Sequence, residues 1–234
     1  QESARAGGDC AGMGASIKEG YRRAGILYRH VFASENDADC RRMLMAVDPP
    51  RTTHMNVIGS DNSVVPAVTD YWLTAPCQEF SQANGYARKP LAEPIAPIMA
   101  GFDTVEAILP VRMFFENVPG LVAAYNGLAW AAIVGRLTAL LDRYYVEIWD
   151  LNARDCGNLQ NRERLTIVLL RKDIYNRPIG PPPKVLPLMT FQYSDVDPNG
   201  VLERHAHRKP LTSEQEGARD RTQILTKRER SVLS

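Results

Sequence analysis

The sequence predicts an α+β fold with a helix-led core, and three observations carry that expectation. Apolar residues recur at three- and four-residue spacing over 15–32 and again over 121–152. Strand-like composition gathers late in the chain, at 164–175 and 184–193. Between the two helical stretches, residues 49–120 hold many of the prolines, which break long helices and favour strand edges and turns.

Residues 1–13 are small and glycine-rich, and read as an irregular lead-in. Ile17, Tyr21, Ala24, Tyr28 and Val31 then mark one face of a helix over 15–32. Ser34 offers a cap for a second helix over 35–47, which Asp48-Pro49-Pro50 ends. A short turn between them predicts an antiparallel helical hairpin.

The proline-rich segment 49–120 reads as extended chain wrapped over a helical body. Asn117-Val118-Pro119-Gly120 is a helix-start signature. Leu121, Tyr125, Leu128, Ala132, Leu137, Leu141, Tyr145 and Ile148 keep helical spacing beyond it, which predicts one long central helix to Asn152. The competing reading ends that helix near Asp142 and makes 144–151 a strand, which its aromatic and branched residues suit. Arg164–Tyr175 and Lys184–Tyr193 form the expected short C-terminal β element, joined by a stiff connector through Pro178, Pro181, Pro182 and Pro183.

These elements make one globular domain over 1–201, followed by a charged arm over 202–234. Eight basic residues stand against five acidic ones in that arm, a charge of +3 on a chain whose total is +1. Ser213-x-x-Glu216 is a capping box for a terminal helix. Ile224, Leu225, Val232 and Leu233 are too few to bury it alone, so they read as partner-contacting positions.

With 44% apolar and 24% charged residues, the chain is neither disordered overall nor a nucleic-acid binder that works by bulk charge. Its most apolar run, 121–134, is too short to span a bilayer and is interrupted by Asn126. No transmembrane segment is expected. The chain opens on Gln1 rather than methionine, which predicts a processed product of a virion, an extracytoplasmic space or an organelle.

Several clusters are candidates for chemistry. Cys10, Cys40, Cys77 and Cys156 are even in number and suit two disulfides, with Cys10–Cys40 the pairing of best local logic. Free buried thiols are the alternative, and none of the four stands in a recognisable catalytic setting. Ala123, Gly127, Ala131 and Gly135 form a small-residue ladder at four-residue spacing, a seam for close helix packing within the chain or against a partner. Asp195, Asp197 and Asn199 match the oxygen-ligand positions of a calcium loop. Ala206 stands where the closing glutamate should be, and Asp-Pro-Asn-Gly is itself a strong β-turn, so the turn is favoured over Ca2+. His205 and His207 lack a third ligand and sit between Arg204 and Arg208. Gly7-Gly8 and Gly12-Met13-Gly14 lack the Gly-Lys-Ser/Thr of a phosphate loop, and no strand is expected before them.

With no complete catalytic or cofactor motif, the expected function is a non-enzymatic structural subunit of a virion or phage particle, a secretion-type machine or an organellar complex. Its partners are then other protein chains, as a homo-oligomer or a hetero-assembly, with nucleic acid a minor partner through the basic arm. A small hydrolase or metal-dependent enzyme is one alternative, and an exported disulfide-containing binding module is another. No cofactor is expected.

Overall fold

A computed structural model describes residues 3–10, 14–81, 89–157 and 160–184, with only the backbone of residues 14 and 15. The chain divides into two units, 1–187 and 188–234, and the second lies outside the described residues.

The first unit alternates strand and helix from its start. β1 (Ala4–Asp9), α1 (Gly14–Arg23), β2 (Tyr28–Ser34), α2 (Ala38–Val47) and β3 (Thr52–His54) are followed by β4 (Asp70–Leu73), α3 (Ala92–Ile108), β5 (Arg112–Asn117) and α4 (Leu128–Leu140). A hairpin of β6 (Tyr144–Asn152) and β7 (Glu163–Arg171) ends it. The strands form one sheet in the order β3-β2-β1-β4-β5-β7-β6. Pairing is parallel from β3 to β5, and antiparallel where β7 joins β5 and β6. The chain winds outward from β1 to β3, then returns to place β4 on the other side of β1. That reversal opens a crevice at the carboxyl ends of β1 and β4, where doubly wound sheets bind ligands.

One face of the sheet carries the main core. Phe32, Tyr71, Leu73, Met113, Phe115, Ile167 and Leu169 pack there with α3 residues Ile98, Phe102 and Val105 and α4 residues Ala129, Ile133 and Leu137. Each fully buried side chain of this kind contributes roughly 1.5–3 kcal/mol. The helix α3 lies close to β4: a Cβ added at Gly101 would stand 2.5 Å from Leu73 Cδ2. On the opposite face Tyr21 of α1 covers Ala4 and Ala6, with Ile17, Tyr28 and Trp72 packed beside it.

This architecture corrects the helix-led core. The expected lead-in is the central strand β1, hidden because it is built of small residues. A Cβ at Gly7 would stand 2.2 Å from the Phe32 ring, so neighbours fill the space that apolar side chains would occupy. The expected helical hairpin over 15–47 is instead α1, β2 and α2. Gly25 at φ +67 turns the chain after α1, and residues 28–34 pair in parallel with β1. Asp37, not Ser34, caps α2, accepting from the N–H groups of Asp39 (2.9 Å) and Cys40 (2.8 Å).

The wrapping segment 49–120 contains β3, β4, α3 and β5. Pro94 falls in the first turn of α3 and is tolerated there, whereas Pro97 removes one internal hydrogen bond. Burial of Ile98, Phe102 and Val105 offsets that loss. The long central helix is also corrected. Tyr125, Asn126 and Gly127 all have positive φ, so α4 starts only at Leu128. It ends at Leu140, and 144–152 is the strand of the competing reading. The strand expected over 164–175 forms as β7, but its partners are β5 and β6. Residues 185–193 of the other expected strand lie outside the described residues.

Candidate active site

At the carboxyl edge of the sheet, β1 ends in Asp9 with Cys10 next, β2 ends in Ser34 with Glu35 next, and β5 ends in Glu116 and Asn117. Past β4 the chain continues through Thr74-Ala75-Pro76 to Cys77. Thr74 ties two of these ends together: its N–H donates to the Asp9 carbonyl (3.3 Å) and its hydroxyl to the Cys10 carbonyl (2.6 Å). Cys10 is held at φ +57, a left-handed conformation that an ordinary side chain disfavours and that tertiary contacts must sustain.

Cys77 opens a single 3₁₀ turn over Gln78–Phe80. The N–H groups of Phe80 and Ser81 donate to its carbonyl at 3.1 and 3.0 Å. Phe80 is fully buried and anchors the turn, with the Tyr125 ring edge-on at 6.3 Å, while Cys77 itself is half-buried. From β5, the buried Asn117 amide donates to the Ala75 carbonyl (3.3 Å), and its oxygen accepts from Val118 N–H (2.9 Å). Beside it, Glu116 Oε1 lies 2.5 Å from Arg164 Nε of β7, an ion pair rather than an aligned hydrogen bond. A half-exposed thiol, a carboxyl and a fixed amide thus stand on neighbouring strand ends.

A cavity of about 200 Å³ adjoins this turn. Pro76 and Gln78, either side of Cys77, form part of its wall, together with Cys10, Glu35, Val57 and Pro97. Glu35 is nearly buried, and its carboxylate accepts the Asp37 N–H through Oε1 (2.9 Å). Its own N–H donates to the His54 carbonyl (3.1 Å), which holds the side chain at the β2 terminus. An acidic side chain at this strand end, facing a cavity beside the first βα junction, suits a ligand with vicinal hydroxyls. Val57, Ile58 and Pro97 supply an apolar wall.

The sequence-derived candidates fall elsewhere or take other roles. All four cysteines are free thiols, which removes the disulfide framework. Cys10 follows β1 at the cavity, Cys40 lies in the first turn of α2, and Cys156 is exposed after β6. The ladder does not form one stripe: Ala123 and Gly127 precede α4, and Ala131 and Gly135 face outward with open space beside Gly135. The buried face of α4 is instead Ala129, Ile133, Leu137 and Leu140. Asp195, Asp197 and Asn199, the two histidines at 205 and 207, and the arm positions Ile224, Leu225, Val232 and Leu233 lie outside the described residues. No group of three or more potential metal ligands occurs among the described residues. No described helix is long and apolar enough to cross a membrane. The strand that the sequence does not predict before the glycine-rich segment is β1, which ends at Asp9.

The family model for C-5 cytosine-specific DNA methylases matches residues 10–231. The chain belongs to this family. The Type II methyltransferase M.NlaX of Neisseria lactamica is 31% identical over 178 residues, which is 73% of this chain and 54% of that protein. The DNA (cytosine-5-)-methyltransferase M.ApeKI of Aeropyrum pernix is 30% identical over 154 residues, or 56% of this chain and 32% of its own length. The chain therefore spans from a third to about half of the curated relatives it matches. Among solved structures, DNMT2 of Spodoptera frugiperda superposes with a TM-score of 0.59 at 16% identity, covering 79% of this chain and 57% of that one. The S. pombe Dnmt2 methyltransferase gives 0.54 at 15% identity, covering 73% and 50%. These likenesses establish the fold, a Rossmann-like methyltransferase sheet of seven mixed strands.

Membership in a family of methyl-transferring enzymes overturns the reading as a non-enzymatic structural subunit of a virion, a secretion-type machine or an organellar complex. It overturns both alternatives as well, the hydrolase or metal-dependent enzyme and the disulfide-containing binding module. Protein chains are likewise displaced as the defining partners, since the family is named for cytosine in DNA. A methyltransferase family also implies S-adenosylmethionine, which the expectation of no cofactor omitted.

Proposed function

We propose that this chain carries the nucleophile and the methyl-donor site of a DNA cytosine-5 methyltransferase. The observation that carries the reading is the Cys77 turn, fixed by Asn117 beside Glu116 and forming one wall of the Glu35 cavity.

The cavity suits S-adenosylmethionine. Glu35 is placed for the ribose hydroxyls, Val57, Ile58 and Pro97 for the adenine faces, and the glycine-rich β1–α1 junction for close approach of the polar tail. When bound there, S-adenosylmethionine supplies an electrophilic methyl group on a sulfonium.

Cytosine C5 is a poor nucleophile within its conjugated ring. A thiolate adding to C6 forms the S–C6 bond, breaks the C5–C6 double bond and moves electron density to C5, the carbon for which the family is named. Of the two thiols at this edge, the half-buried Cys77 keeps that capacity, because burial and neighbouring negative charge push the Cys10 thiol up to about 12. Addition at C6 also builds negative charge on N3 and O2 of the ring. Glu116 is the neighbouring carboxyl able to hold a proton at N3, and Arg164 fixes its orientation. Once C5 has taken up the methyl group, loss of the C5 proton to water restores the C5–C6 double bond and expels the Cys77 thiolate from C6. A base buried in a duplex cannot reach Cys77, so the target nucleotide must leave the stack.

The test is methyl transfer from labelled S-adenosylmethionine to a cytosine-containing DNA duplex, with nucleoside analysis of the product. The reading expects 5-methylcytosine from the wild-type chain and none from Cys77→Ala, which keeps donor binding. Donor binding that is absent from the wild type, or product from Cys77→Ala, contradicts it.

A further inference from the structure

We propose that Tyr125 is a positioning residue for Cys77, its ring and hydroxyl bracing the chain that leaves the Cys77 turn as Asn117 braces the chain that enters it. The inference rests on the assignment of Cys77 as the nucleophile.

The backbone singles Tyr125 out. Tyr125 (φ +54) and Asn126 (φ +56) are both left-handed, and Gly127 continues at φ +81. Glycine takes up that region freely and asparagine with little resistance, but a bulky aromatic residue stays there only where its surroundings sustain it. Glycine or a second asparagine at 125 would make the same turn with less strain. What an aromatic adds is the reach of its side chain.

That side chain touches both flanks of one segment. Its ring stands edge-on to Phe80, with centroids 6.3 Å apart. Phe80 is fully buried, and its N–H donates to the Cys77 carbonyl (3.1 Å). The Tyr125 hydroxyl donates to the Lys89 carbonyl (2.8 Å), just before the chain enters α3 at Ala92. Lys89 N–H donates to Glu79 Oε2 (3.4 Å), and Lys89 Nζ pairs with Glu93 Oε2 of α3 (3.0 Å). Phe80 on the way out and Lys89 on the way back thus meet at one side chain, and Glu79 links them directly.

Asn117 ends β5, and Tyr125 lies in the connection from β5 to α4. Asn117 holds Ala75, before Cys77, while Tyr125 holds Phe80 and Lys89, after it. One stretch of chain therefore braces both sides of the turn. A reacting atom misplaced by about 1 Å can lose about a hundredfold in rate, so loss of the brace reads out in kcat. Tyr125 takes no part in the wall of the Glu35 cavity, which makes donor affinity the internal control.

The experiment compares wild type, Tyr125→Phe and Tyr125→Gly in the 234-residue chain, by methyl transfer to a cytosine-containing duplex and calorimetry with S-adenosylhomocysteine. Phe keeps the ring and loses the hydroxyl; Gly keeps the left-handed turn without strain and loses both contacts. Per folded chain, kcat should fall by about threefold in Tyr125→Phe and by about tenfold or more in Tyr125→Gly. The KM for DNA and the affinity for S-adenosylhomocysteine should stay within about threefold of wild type in both. A Tyr125→Gly chain with the kcat of wild type, or one that loses donor affinity as steeply as kcat, overturns the proposal. A wild type that transfers no methyl group contradicts the nucleophile assignment instead. The brace then reads out through iodoacetamide labelling of Cys77 against the exposed Cys156: about tenfold faster in Tyr125→Gly supports it, and equal rates overturn it.

Discussion

The Asn117 amide donates to the Ala75 carbonyl at 3.3 Å, which ties the end of β5 to the turn that presents Cys77. Ala75 and Asn117 lie 42 residues apart in sequence, yet this bond joins the strand end to the chain that leads into the Cys77 turn. Removing the side chain leaves the Ala75 carbonyl and the Val118 N–H unpaired in a buried site. Asn117→Ala should destabilise the chain by about 1–3 kcal/mol, read from urea unfolding. It should lower kcat for methyl transfer further than the stability loss explains, because Cys77 is no longer held. A variant with unchanged kcat in its folded fraction would break the link between Asn117 and the nucleophile.

Asp70 is fully buried at the start of β4 and receives a two-pronged contact from the Arg112 guanidinium, with Nη2 to Oδ2 at 2.9 Å. Arg112→Met strands a carboxylate in the sheet, and should cost about 3–5 kcal/mol in chemical denaturation. The double variant Asp70→Asn/Arg112→Met should recover part of that loss. No recovery would mean that the guanidinium acts through packing alone.

Close approach of backbones at the ligand crevice depends on Gly8. A Cβ there would stand 2.7 Å from the Trp72 carbonyl oxygen, which cannot rotate away. Gly8→Ala should therefore lower stability by about 1–3 kcal/mol, measured as a shift in the urea midpoint. Because β1 and β4 would be pushed apart at the cavity, S-adenosylhomocysteine affinity should fall with it. An alanine variant of wild-type stability would show that the two strands have slack.

Burial, with the negative charges of Asp9 and Glu35, pushes the Cys10 thiol up to about 12. At pH 8 only about one Cys10 in ten thousand is then a thiolate, which is the reactive form. Iodoacetamide with peptide mapping should label the exposed Cys156 well before Cys10, and Cys10 labelling should climb as pH rises towards 12. Cys10 labelled at the rate of Cys156 near pH 8 would contradict the burial of its sulfur.

Some of this fold was legible and some was hidden for identifiable reasons. β7 announced itself through the run Leu165–Leu170, because a strand buried on both faces reads as continuous apolar sequence. β1 did not, because Ala4, Ala6, Gly7 and Gly8 let neighbours pack so closely that no apolar pattern is needed. Without β1, the glycines after it had no strand to follow, and the cavity had no floor. Gly25 was the available signal that α1 stops early, and it was outweighed by Tyr28 and Val31 in helical register. Those two residues belong to β2. Pro94 and Pro97 concealed α3, whose core contacts override their propensity.

The site was harder to read than the fold. Cys77 carries no local pattern that separates a nucleophile from a structural thiol. Its proposed role rests on Asn117 and Glu116, brought in by strand pairing, and on Arg164 of β7. Glu35 was equally silent in sequence, since only the parallel pairing of β2 with β1 sets it at the cavity. Ala131 and Gly135 illustrate the converse, a clear spacing that the fold leaves facing open space.

The most direct test uses a DNA duplex carrying 5-fluorocytosine at the target position together with S-adenosylmethionine. Fluorine replaces the C5 proton that must be removed, so the S–C6 bond cannot be released once C5 is methylated. Intact-mass and peptide analysis should find one covalent chain–DNA adduct, attached through Cys77 and missing from Cys77→Ser. Methylation of ordinary cytosine without any such adduct, or an adduct at another residue, would contradict the assignment of Cys77 as the nucleophile.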